Sequence, residues 1–111
     1  MKLELDTAGR VLIARIDGEL DLSTAPQFRA ALEQALDRTM ARDLVLNMKG
    51  VGFVDSSGLG AILGRYRRVT QAGGKMAICG VSGRVKPILE LSGILRIVPL
   101  FDSETGALAS F

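Results

Sequence analysis

The chain opens on alternation. Residues 2–6, KLELD, place apolar and polar side chains on alternate positions, the period of a strand with one wet face. TAGR follows as a turn, with Gly9 free to take a positive φ. VLIARI, residues 11–16, is aliphatic and β-branched, which predicts a more deeply buried strand. The two segments are spaced to pair as an antiparallel hairpin at one edge of a sheet. GELDLSTAPQF then breaks the period. Thr24 and Gln27 stand at capping-box spacing, and Pro26 lies in the first helical turn, where its missing N–H does least harm. A helix over 25–38 places Phe28, Ala31, Leu32, Ala35 and Leu36 on one stripe.

DLVLNM, residues 43–48, predicts a third strand, and KGVGFVD a connection in which Phe53 and Val54 look exposed. From about residue 57 to 71 a second helix carries Leu59, Ile62, Leu63, Tyr66 and Val69 on its apolar face, with Arg65, Arg67 and Arg68 read as a solvated face. KMAICG predicts the fourth strand. A third, shorter helix starts near Arg84, because Pro87 sits badly deeper inside a helix, and Ser92-Gly93 closes it. RIVPLF predicts a last strand, marked as an edge by Pro99, and DSETGALASF a weak terminal helix.

The order is therefore β-β-α-β-α-β-α-β-α. Helices alternating with short apolar strands imply right-handed crossovers and an α/β class, with a small mixed, mainly parallel sheet of 4–5 strands and about four helices. A length of 111 residues suits one domain over 1–111. In such a sheet, loops leaving the C-terminal ends of parallel strands share an edge. If the second and third strands are neighbours, Asp21 and Asp55-Ser56 meet there.

Composition narrows the function classes. The chain is 48% hydrophobic and 23% charged, which favours a packed core over disorder. A net charge of +2, with no basic run beyond Arg65-Tyr66-Arg67-Arg68, argues against a direct nucleic-acid surface. No stretch of about 18 apolar residues spans a membrane, and MKLELD has no signal pattern, so the expected location is the cytoplasm. Cys79 stands alone in an apolar run and reads as a small buried residue. Histidine is absent, which removes Ser-His-Asp and Cys-His catalysis and the usual zinc sites. No catalytic residue, metal or cofactor is expected.

VDSSGLG, residues 54–60, concentrates the remaining chemistry. Asp55 or Ser56 is a good N-cap for the second helix. A cap alone does not account for Gly58 and Gly60 in the opening turns, where each costs about 1 kcal/mol against alanine. Those glycines suggest that something approaches the backbone closely. A nucleotide or other small molecule is one candidate, although GLGAILG is a poor dinucleotide fingerprint without an acidic residue after the next strand. A serine hydrolase lacks its base. Asp55 as a phosphoacceptor lacks a lysine after the last strand. The remaining reading makes a hydroxyl the substrate: a phosphate at a helix start meets free N–H groups and adds about −1.5 to −2 charge, which would repel a partner docked on Phe53, Val54, Gly58 and Gly60.

FVDSSGLGAILGRY, together with GELDLSTA, resembles the anti-sigma factor antagonists of the STAS domain family, nearest to the sporulation-type members. The likeness covers essentially the whole chain. It implies a non-enzymatic protein whose unphosphorylated form binds an anti-sigma factor and releases the sigma factor. It implies that this anti-sigma factor is a serine kinase, with ATP or ADP bound, that phosphorylates Ser56, and that a PP2C-type phosphatase reverses the step. Asp21 would contribute to partner contact and Ser57 would be structural. Asp55, Ser56, Ser57, Gly58 and Gly60 would form the contact surface with Asp21. The same domain also occurs in stress-response antagonists and as the tail of anion transporters. The competing reading is a small-molecule or nucleotide-binding STAS-like domain that uses the Gly58–Gly60 helix start.

Overall fold

A computed structural model describes residues 1–111. The elements follow the expected order: β1 (Lys2–Ala8), β2 (Val11–Leu20), α1 (Ala25–Arg38), β3 (Asp43–Val54), α2 (Ser56–Gln71), β4 (Met76–Cys79), α3 (Lys86–Ser92), a 3-10 turn (Ile94–Arg96), β5 (Leu100–Phe101) and α4 (Glu104–Ala109). The five strands form one mixed sheet in the order β1-β2-β3-β4-β5. β1 runs antiparallel to β2; the other three pairings are parallel. The sheet thus grows in one direction, each crossover adding the next strand beside the last.

The pleat sorts side chains to two faces. On one, Leu12, Ala14 and Ile16 of β2, Leu44, Leu46 and Met48 of β3, and Met76 and Ile78 of β4 pack with Phe28 and Leu32 of α1, Ile62 and Val69 of α2, and Leu89 of α3. This core holds 23 buried residues against six on the other face, where Val11, Ile13, Val45, Ala77 and Cys79 are covered by Ala107 of α4. Three helices therefore stabilise one face, and a single short helix covers part of the other. Burial raises the Cys79 thiol to about 11, so it stays a neutral apolar group.

Several local expectations are corrected. β2 and β3 run on past the predicted ends, because residues 17–20 of β2 pair with residues 50–54 of β3 through two register shifts. Gly18 takes φ +117 at one of them, a conformation L side chains rarely adopt. Val54 is consequently buried, while Phe53 is exposed. The capping box does not form: Thr24 makes no side-chain cap bond to the helix. α3 starts at Lys86, with Pro87 in the first turn, two residues later than expected. Of RIVPLF only Leu100–Phe101 is a strand; Ile94–Arg96 turns as a 3-10 segment.

The largest correction concerns the arginines. Arg65 is 7% exposed, not solvated. Its Nη2 lies 2.9 Å from Glu33 Oε1 on α1. Arg68 also pairs with Glu33, and with Asp37 at 2.7 Å. Helical periodicity set Arg65 off the apolar stripe, but the buried face of α2 is Gly58, Ala61, Ile62, Arg65 and Val69, with Leu59, Leu63 and Tyr66 only half-buried, so Arg65 lies on that face, where α1 packs against α2.

Candidate functional site at the starts of the first and second helices

Parallel pairing of β2 with β3 sets Leu20 beside Val54, so both strands end at one edge. The chain leaving β2 carries Asp21 to Thr24, and the chain leaving β3 carries Asp55 into α2. The two sequence-distant segments are brought together as the topology requires.

Asp55 is the junction. It is the N-cap of α2, in extended backbone conformation, and its Oδ1 accepts from Gly58 N–H at 2.9 Å. Its Oδ2 accepts from Leu22 N–H at 3.0 Å, and its own N–H donates to Leu20 O at 3.3 Å. One side chain therefore caps a helix and holds the neighbouring loop.

That loop has its own internal order. The Thr24 hydroxyl accepts from Asp21 N–H at 2.9 Å and donates to Glu19 O at 2.9 Å. Asp21 Oδ1 accepts from Ser23 Oγ at 2.8 Å, Ser23 N–H at 3.0 Å and Thr24 N–H at 3.1 Å. The Ser23 hydroxyl leads the contacts that hold the Asp21 carboxyl below the ordinary carboxylate range, so it is anionic at neutral pH. The turn spends only one carboxylate oxygen; Oδ2 makes no hydrogen bond within the chain. Threonine three residues after the aspartate is the signal in LDLST for this turn, which the capping-box spacing with Gln27 obscured.

Ser56 is the first residue of α2 and is exposed; Ser57 is half-buried. The two glycines differ in purpose. A Cβ on Gly58 would stand 2.2 Å from Leu20 O, so what approaches this backbone is the protein's own β2. A Cβ on Gly60 would meet nothing within 4 Å. Only Gly60 leaves room for an outside surface. Leu22, 74% exposed, and Phe53, 46% exposed, add apolar area on the segments flanking the site. Leu22 escaped the sequence reading because a lone leucine in a polar loop carries no periodic signal.

A nucleotide cradle at this helix start is poorly served. The Asp55 carboxylate already occupies the Gly58 N–H that a phosphate would seek, and repels a second anion there. Five surface cavities of about 160 to 630 Å³ lie elsewhere on the molecule, and none of them is lined by Asp21, Asp55, Ser56, Ser57, Gly58 or Gly60. No cluster of three His, Cys, Asp or Glu side chains is placed to hold a metal ion. No helix is long and apolar enough to cross a membrane.

Comparison with known proteins agrees with this architecture. The chain is 42% identical to the anti-sigma F factor antagonist of Paenibacillus polymyxa, over 97% of this chain and 92% of that one. It superposes on the Bacillus cell fate determinant SpoIIAA in its phosphorylated form with a TM-score of 0.77 and 25% identity, covering 98% of each chain. A Thermotoga maritima protein shares the fold with a TM-score of 0.90 at 23% identity, over 97% of this chain and 92% of that one. The STAS domain profile matches residues 2–107. The chain belongs to the STAS domain family.

Proposed function

We propose that this protein is an anti-sigma factor antagonist switched by phosphorylation of Ser56. The observation that carries the reading is the Ser56 hydroxyl: exposed, free of hydrogen bonds within the chain, and presented at a helix start whose backbone Asp55 holds in place. A kinase needs an accessible hydroxyl on an ordered segment, and Ser56 offers one. The anti-sigma factor acts as that serine kinase. It transfers the γ-phosphoryl of ATP to Ser56 Oγ, the hydroxyl proton leaves, and ADP remains. A PP2C-type phosphatase restores the hydroxyl: water attacks the phosphorus, the P–Oγ bond breaks, and inorganic phosphate leaves.

The unphosphorylated surface combines one anionic carboxylate, Asp21, with Leu22 and the open backbone at Gly60, and Ser57 supports it from a half-buried position. This suits a partner offering a cationic group beside an apolar patch. A phosphate of about −1.5 to −2 charge on Ser56, next in sequence to Asp55 and across the edge from Asp21, makes that surface more anionic and desolvates badly against such a partner. The protein acts by binding in the cytoplasm, and the sigma factor is released when the anti-sigma factor is captured.

Intact-mass measurement after incubation with the cognate kinase and ATP tests this. One added phosphate, absent in Ser56→Ala and present in Ser57→Ala, is expected. An unchanged mass with an active kinase, or a phosphate retained in Ser56→Ala, overturns the assignment. Ser56→Asp is expected to keep the unfolding temperature and to lose affinity for the unphosphorylated form's partner.

A further inference from the structure

The sheet has one long free edge. β1 pairs only with β2, and its outer backbone groups are unpartnered along Lys2–Ala8. Free edges of this length are usually blunted by charge, bulges or cover. The charges on β1 are instead arranged in a self-complementary way. Register with β2 puts Lys2, Glu4 and Asp6 on one face, opposite Asp17, Arg15 and Ile13, and Leu3 and Leu5 on the other, opposite Ile16 and Ala14 of the large core.

We propose that β1 is a homodimer edge, pairing antiparallel with β1 of a second copy about a two-fold axis through Glu4. In this register Lys2 lies opposite Asp6 of the second copy, and Leu3 opposite Leu5. A two-fold interface repeats each contact, so two oppositely charged pairs and two leucine pairs form at once. Lys2 makes no ion pair within its own chain, and the Asp6 side chain is 59% exposed: its Oδ1 accepts from Thr7 N–H at 2.8 Å and its one ion pair is a 3.6 Å contact to Arg15. The one like-charged pair, Glu4 against Glu4, is offset in part: each Glu4 is bound by Arg15 of its own chain, which it shares with Glu104 and Asp6. Leu5, 36% exposed, gains cover, and the apolar helix-side layer runs on from one subunit into the next.

The result is a continuous ten-stranded sheet with the large helices of both subunits on one face. The two Ser56 sites, at the C-terminal ends of β2 and β3, point to opposite ends of it. Dimerisation and partner binding therefore use separate surfaces.

Sedimentation equilibrium on the unaltered chain between about 1 μM and 1 mM tests the edge. The mass is expected to rise from 11.8 kDa toward twice that value. Lys2→Glu and Asp6→Lys each turn two attractive pairs into repulsive ones and are expected to weaken the dimer by about tenfold or more. Lys2→Asp combined with Asp6→Lys restores the pairing with the charges exchanged, and the dimer returns. Amide exchange of β1 in the unaltered chain slows as concentration rises. A monomer at all concentrations, a dimer indifferent to the charge reversals, or β1 exchange independent of concentration overturns the proposal.

Discussion

The backbone N–H of Leu22 donates to Oδ2 of Asp55 at 3.0 Å, joining two loops that lie 33 residues apart. The same carboxylate caps α2 through Gly58 N–H. Orientation of the Asp21 turn and the entry of α2 thus depend on one side chain.

Asp55→Ala removes both acceptors. Loss of the cap alone costs about 1–2 kcal/mol. Amide exchange at Leu22 and Gly58 is expected to accelerate together, while exchange in β4, which shares no bond with the junction, changes only with global stability. Acceleration at Gly58 alone would show that Asp55 is a cap and no more.

Gly58 and Gly60 respond in opposite directions. Gly58→Ala drives a methyl onto Leu20 O, and the backbone must yield; a loss of about 1–3 kcal/mol is expected. Gly60→Ala meets open space on an exposed helix position and gains about 0.5–1 kcal/mol from helix propensity. Urea unfolding of the two variants compares them directly, and equal midpoints would contradict the packing described for Gly58.

Glu33 holds a buried cation. Arg65 is enclosed between α1 and α2, and its Nε and Nη1 have no partner in the protein, so Glu33 is its main compensation. Removing one member of a fully buried pair costs about 3–5 kcal/mol; Glu33 is 31% exposed, which lowers the expectation to about 2 kcal/mol for Glu33→Ala. Combining Arg65→Met with Glu33→Ala should cost clearly less than the two single losses together. Additive losses in a denaturant-based cycle would mean the pair is not coupled.

Glu104 makes α4 sensitive to acid. Arg15 grips its carboxylate with Nε at 2.6 Å and Nη2 at 2.9 Å, and Asn47 Nδ2 donates at 2.7 Å. The Arg15 contacts are the main cause that lowers its folded-state value below the ordinary 4.5. A depressed carboxylate contributes stability that is present above 4.5 and lost as pH falls through the lower folded value. Unfolding midpoints measured from pH 7 downward should therefore fall below about pH 4.5 more steeply in the unaltered chain than in Glu104→Gln, whose midpoint at pH 7 is already lower. Parallel profiles would exclude this contribution.

Much of the fold was legible because periodicity reports burial directly. α1 was placed at Ala25–Arg38 to the residue, since Pro26 marked its start and Phe28, Leu32, Ala35 and Leu36 its inward face. Strand lengths were less legible. Residues 49–54 carry lysine, glycine and an exposed Phe53, so nothing local announces a strand; they are held extended by pairing with β2. The C-terminal strand erred the other way: RIVPLF has strand composition, but only Leu100–Phe101 finds a partner in β4.

The site divides along the same line. The chain alone determined that no histidine chemistry exists here and that Asp55-Ser56 opens a helix, and it placed Asp21 at the matching edge on the condition, met in the structure, that β2 and β3 are parallel neighbours. These follow from residue identity and from the rule that parallel strands share their C-terminal edge. Tertiary structure alone decided that Asp55 reaches Leu22, that Gly58 serves Leu20 while Gly60 stays open, and that Arg65 is buried against Glu33. The physical reason is that each of these depends on distances between residues remote in sequence, and such distances are set only when the packed core fixes the separation of strands and helices.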